Sequence, residues 1–149
     1  MDEDTFWQLL DVCRPGGPDP DAHGLAALRA RLAHRSLTEV VGFAERLSEV
    51  LYRLDRREYG LRLPGDAFLY TRAAVVAAGR AEYEAVLRDP RRFAPYSDGH
   101  LWAEPLLYVP DRVYRALTGR EWDRSTRYSY ESSSHRAGWE DRPPAAPGR

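Results

Sequence analysis

Asp98, His100 and Glu104 are the residues whose types come closest to chemistry in this sequence. One imidazole and two carboxylates this close together can divide general acid and base work, or offer nitrogen and oxygen ligands to a metal. Their spacing argues against it. His100 and Glu104 share a helix face only if both are helical, and Pro105 drives Glu104 towards extended backbone. Glu104 then serves as an acidic residue at a helix start, where the dipole favours it. A small enzyme using His100 with Asp98 or Glu104 is kept as the alternative reading.

Other reactive types are poorly supported. Cys13 lies on the apolar face of the first helix with no histidine near it in sequence, which reads as a small hydrophobe in a core. Ser132, Ser133 and Ser134 precede His135 without the glycine-flanked elbow that exposes a hydrolase serine. Walker, Rossmann and HExxH patterns are missing, so no cofactor and no metal is expected. Arg88, Arg91 and Arg92 form the one dense basic cluster, and Phe93 and Tyr96 beside them could stack on a base. The competing reading is a solvated turn whose arginines pair with Glu82 or Glu84.

The aromatic residues are more informative. Nine of the seventeen lie from Phe93 onward, where turn residues are also common. Within EWDRSTRYSYESSSHRAGWE stand Trp122, Tyr128, Tyr130 and Trp139, too many rings for a solvated tail. Tyr128 and Tyr130, spaced by two, would face one side of an extended strap. Two readings follow: the strap completes the core, or strap and body wall a groove in which Trp102, Glu104, Tyr108, Tyr128 and Tyr130 face a ligand.

The elements that must position these residues are helical. Asp4 is expected to cap a helix carrying Phe6, Leu9, Leu10 and Cys13, and RPGGPDPD ends it. Leu25, Leu28 and Leu32 recur at helical spacing. Ser36 and Glu39 form a capping box that opens the strongest helix, with Leu37, Val40, Val41, Ala44, Leu47, Leu51 and Leu54 on one face. Asp55 to Gly65 reads as a connection. Asp66 is expected to cap an alanine-rich helix that Gly79 interrupts, and Tyr83, Val86 and Leu87 mark another, closed by Asp89-Pro90. Leu106, Val109, Val113 and Leu117 keep the period through Pro110, predicting one kinked helix ended by Gly119. No stretch alternates long enough to require a sheet. The expected fold is mainly α: a single compact domain over residues 1–140, with five or six helices and a long irregular aromatic-rich C-terminal strap over residues 121–140. Residues 141–149 are expected to form a disordered tail.

Composition sets further bounds. The chain has 149 residues, and its 22 basic and 23 acidic residues leave a net charge of -1. That balance provides no field to draw in nucleic acid or an anionic membrane. All the basic residues are arginine, so no lysine nucleophile or Schiff base is available. The single cysteine excludes an internal disulfide, and the acidic N-terminus does not resemble a signal peptide. A soluble cytoplasmic protein is expected.

The segments FWQLLD, GDAFLYTRAAVVAAGRAEYEAVLRDPRRFAP, WAEPLLYVPDRVYRALTGREWDRSTRYSYES and AGW resemble an actinobacterial branch of the family called domain of unknown function 4240. The likeness runs from Asp2 to Trp139. It implies no catalytic residues, because the family has none established. Some relatives are joined to a WGR domain, a module linked to nucleic-acid processing. Here LDRREYGLRLPGDAF replaces the family's more typical tryptophan-containing stretch, and only Asp66 and Phe68 of the following motif remain recognisable. The reading that best combines these observations is a small non-catalytic binding or protein-interaction module, its partner an unknown protein or small molecule. A nucleic-acid-associated accessory protein is the third reading.

Overall fold

Eight α-helices and one 3-10 helix make up the regular structure of the computed structural model, which describes residues 1–13, 22–97, 103–123 and 125–140, with no strand among them. The RPGGPDPD stretch expected to end the first helix and residues 141–149, expected to be a tail, lie outside the described residues, as do Asp98, His100 and Trp102. The helices are α1 (Glu3–Asp11), α2 (Ala22–Ala33), α3 (Leu37–Arg53), α4 (Arg57–Gly60), α5 (Gly65–Ala77), α6 (Arg80–Arg88), the 3-10 helix Pro90–Ser97, α7 (Glu104–Thr118) and α8 (Arg136–Trp139). The mainly helical class therefore holds, with two one-turn helices that the hydrophobic period could not signal.

α5 runs through the middle of the molecule. Every residue from Phe68 to Ala77 except Tyr70 is buried, because the helix is apolar around its whole circumference and its alanines let neighbours approach. It packs against α3, α6, α7 and the 3-10 helix. α7 crosses both α2 and α3, and α1 closes one end with Phe6 against Phe43 and Trp7 against Tyr83. α3 buries Val40, Ala44, Leu47 and Leu51 of the expected stripe and adds Phe43 to it, while Val41 is only partly buried. Each such side chain contributes about 1.5–3 kcal/mol on leaving water. Leu37, Leu87 and Leu117 belong to predicted apolar stripes yet are substantially exposed, since each lies near a helix end where the packed neighbour has run out.

The caps show where local chemistry was read correctly and where it was not. Ser36 Oγ accepts from Glu39 N at 3.2 Å, while the Glu39 carboxylate also takes Arg35 at 2.6 Å. Asp2, rather than Asp4, caps α1 by accepting from Thr5 N at 2.8 Å, and Asp4 pairs with Arg80 at 2.7 Å instead. α5 begins at Gly65 behind Pro64, so Asp66 lies inside its first turn, where the dipole favours it, and is not the cap. α7 continues through Pro110 and stops at Gly119, whose φ of 71° is the left-handed geometry glycine adopts without penalty.

Candidate functional site

The strap is held by two buried ions. Asp55, in the stretch expected to be a mere connection, is fully buried at the end of α3. Its Oδ1 accepts from Ser133 N at 2.8 Å and from Trp139 Nε1 at 2.7 Å, and its Oδ2 accepts from His135 N at 2.9 Å. Arg72 on α5 is also fully buried. One terminal nitrogen donates to Leu51 O at 2.9 Å, and the other donates to Tyr130 O at 2.9 Å and Ser132 Oγ at 3.0 Å. Its Nε has no partner, but the guanidinium lies 4.5 Å over the Phe68 ring. Burial pulls the guanidinium down to about 10, with Asp55 and Glu131 opposing the shift, so it stays charged at neutral pH. Buried ions held by several hydrogen bonds fix a conformation more than they add net stability. Here they fix residues 130–139 against α3 and α5.

The rings complete the attachment. Trp122 meets Tyr114 edge-on at 5.0 Å, Tyr128 lies against Tyr52 at 4.8 Å, and Trp139 meets Phe68 edge-on at 5.7 Å. Gly138 comes so close to α3 that a Cβ would stand 2.9 Å from Asp55 O. His135 stacks on Tyr52 at 4.2 Å, with Nδ1 3.1 Å from Tyr52 O. Serine, histidine and aspartate thus meet in space without making a triad, because Asp55 takes main-chain N–H groups and not the imidazole.

Between α3, α7 and this fixed strap lies a groove of about 330 Å³. It is lined by the apolar Ala44, Leu47, Leu107 and Pro110, by Trp122 and Tyr130, and by the polar Ser48, Asp111, Ser125, Thr126, Ser129 and Glu131. Asp111 is partly buried, with no hydrogen bond or ion pair among the described residues, and burial pushes its carboxyl up. Tyr130 is pushed up by burial first and by Asp111 and Glu131 second. Ser48 is only 3% exposed, and its hydroxyl, without a hydrogen bond among the described residues, keeps its contact with solvent through the groove; the sealed and unpartnered side-chain atom among the described residues is Arg72 Nε. A larger concavity of about 540 Å³ between α4 and α8 mixes Arg56, Arg57 and Arg62 with Glu58 and Glu140. There Arg56 pairs with Glu58 at 2.7 Å. The smaller groove has the unmatched polar groups and is the better candidate.

Glu104 begins α7 as expected, and its Oε1 accepts from Tyr70 at 3.1 Å and Tyr108 at 2.8 Å. Hydrogen bonding to that carboxylate pushes the Tyr108 hydroxyl up to about 12 and Tyr70 upward. Glu104, Tyr108 and Asp111 fall on one helix face at i, i+4 and i+7, so the acidic stripe of α7 runs past Tyr130, whose phenol is close enough to influence Tyr108. Tyr128 is not on this side: it lines a separate depression with Met1, Gly42 and Arg46, so the two strap tyrosines do not share a wall. Of the candidate acid and base group only Glu104 is described; Asp98 and His100 lie outside the described residues, as does Trp102 of the candidate groove.

The remaining candidates take structural places. Cys13 is fully buried, its thiol is pushed up to about 12 by burial, and it donates to Gly24 O at 3.8 Å. Arg91 pairs with Asp89 at 3.0 Å and Arg92 with Glu82 at 3.2 Å, while Phe93 is buried against Tyr59 and Phe68. Phe93 has no face left for a base. Sequence reasoning missed Asp55, Arg72, Ser48 and Asp111. A signal existed for Arg72, the one cation inside an apolar helix, but none distinguished Asp55 from its charged neighbours.

The fold and groove define an all-helical protein closed by an ion-anchored aromatic strap. The chain belongs to the family described as protein of unknown function (DUF4240), whose model matches residues 1–116. That match covers α1 to α6 and most of α7, and the strap follows it. No curated protein and no solved structure matches the chain.

Proposed function

We propose that this protein is a small non-catalytic binding module, and that the groove between α3, α7 and the strap receives a small-molecule ligand. The observation that carries this reading is the pair of open polar groups in one cavity: Ser48 and the partly buried Asp111 line it together, and neither is hydrogen-bonded among the described residues. Polar groups that face a concavity and have no partner within the chain are free to hydrogen-bond a bound molecule. The groove volume falls at the small end of the ligand-pocket range, and its apolar lining with a few convergent polar groups is the usual composition of such a site.

The strap's anchoring supports a preformed wall, which lowers the ordering cost of binding. Catalysis is the less supported alternative. The groove residues contain no histidine or cysteine to pair with a serine, and the carboxylate of Glu104 is engaged by two phenols. The paired arginines of the 3-10 helix do not favour a nucleic-acid role. No helix among the described residues is long and apolar enough to cross a membrane. With the balanced charge and the lone buried Cys13, this is compatible with the cytoplasmic location we propose.

Native mass spectrometry of the full chain, purified from its own cells without denaturation, tests the reading. The expected result is a small-molecule adduct that is released on unfolding and absent from a Trp122→Ala variant of unchanged fold. An adduct retained by Trp122→Ala and by Asp111→Asn would place binding elsewhere.

A further inference from the structure

We infer that the groove takes a small organic cation, an alkyl- or arylammonium whose charged head lies against Asp111 and whose apolar body lies over Leu47 and Leu107 beside Trp122. The inference rests on reading the groove as a ligand site and adds the chemistry of its occupant.

Charge is the first argument. The ionisable carboxyls lining the groove are Asp111 on α7 and Glu131 on the strap, and no basic side chain lines it among the described residues. The other inward carboxylates of this protein have donors: Asp55 has three and Glu104 has two. Asp111 has none among the described residues, although burial already disfavours its charge. An anion entering here would meet two carboxylates. A neutral hydroxyl could donate to Asp111 but would leave its charge unmatched, whereas a cation answers both needs.

Hydrogen bonding is the second and independent argument. An ammonium carries three donors and no acceptor, so it needs several oxygens converging from different directions. Ser48 supplies one from α3, which packs against the α7 helix that carries Asp111, its hydroxyl lining the groove without a hydrogen bond among the described residues. The aromatic walls add a third element, since the faces of tryptophan and tyrosine attract cations through their quadrupoles. Trp122 presents its edge contact to Tyr114 at 5.0 Å and also lines the cavity.

Three compounds with one ring and different heads test this: 2-phenylethylammonium, 2-phenylethanol and phenylacetate, each titrated into the full chain while amide resonances are followed by NMR. The ammonium is expected to shift Ser48, Asp111 and Tyr130, and to bind at least about tenfold more tightly than the alcohol, the scale of one hydrogen bond to a charged group. Asp111→Asn should abolish that preference, whereas Glu58→Gln, which alters a carboxylate outside the groove, should preserve it. Comparison of the heads on the unmodified chain needs no variant to fold. Equal binding of ammonium and alcohol, tighter binding of phenylacetate, or an unaltered preference in Asp111→Asn would overturn the cation inference while leaving the groove reading standing. Failure of all three compounds to move any groove resonance at millimolar concentration would overturn both.

Discussion

Eighty-four residues separate Asp55 from Trp139, yet the indole Nε1–H donates to the buried Asp55 Oδ1 at 2.7 Å. The same carboxylate receives two main-chain N–H groups from the strap, so one side chain at the end of α3 sets the path of the C-terminal segment. An interaction of this kind is costly to break from one side, because the remaining partners stay buried and unsatisfied.

Asp55→Asn should therefore destabilise the protein by about 3 kcal/mol, despite being nearly isosteric. Three donors converge on the carboxylate, and an amide can accept through only one of its two atoms. Denaturant unfolding measures the loss, and a midpoint equal to the native one would mean that Arg72 and the rings hold the strap without Asp55.

Arg72 allows a graded test. Arg72→Met retains apolar bulk but leaves Leu51 O, Tyr130 O and Ser132 Oγ without the guanidinium, and a loss of about 3 kcal/mol is expected. Arg72→Lys should fall between native and Met, since an ammonium keeps the charge without the planar fork that reaches α3 and the strap together. Equal stability of Lys and Arg forms would show that charge alone, rather than the fork, does the holding.

Leu51→Ala should cost about 2–5 kcal/mol by opening a cavity, because Leu51 is fully buried on α3. The groove side should be unaffected, as Leu51 does not line it.

Asp111 gives a prediction of opposite sign. Burial raises its carboxyl in the folded chain, so the folded state takes up a proton more readily than the unfolded one. That contribution is present in full below the ordinary carboxylate range and is lost as pH rises through the raised folded value. At neutral pH the unliganded protein carries the cost of a partly buried, unmatched charge. Asp111→Asn should raise the thermal midpoint at neutral pH while weakening binding in the groove, and the gain should shrink in acid. A lower midpoint at neutral pH would show that Asp111 has a structural partner.

What the sequence made legible is what periodicity and turn chemistry control. The stripe Val40, Ala44, Leu47, Leu51 located α3, the Ser36 cap located its start, and Gly119 located the end of α7. The strap's four aromatics signalled that it packs. Illegible were features made by residues distant in the chain. Asp55 stands in DRRE like any solvated charge, and its burial comes from Ser133, His135 and Trp139. Of the residues expected to face a ligand, Tyr130 lines the groove, whereas Glu104 and Tyr108 are not among its lining residues. Tyr128 lines a separate depression because alternation assumes a straight strand, whereas the strap bends at Arg127 and Tyr128. Ser48 was hidden because a serine within a good helical stripe looks like its exposed edge.

The account stands on the strap being a fixed wall, and amide hydrogen exchange at Ser133 and His135 tests that most directly. Both N–H groups donate to the buried Asp55 carboxylate, so each should exchange as slowly as core amides of α3 and α5, and both should lose that protection together in Asp55→Asn. Exchange of these two amides in the native protein at the rate of an unfolded chain would contradict the docked strap, and with it the groove.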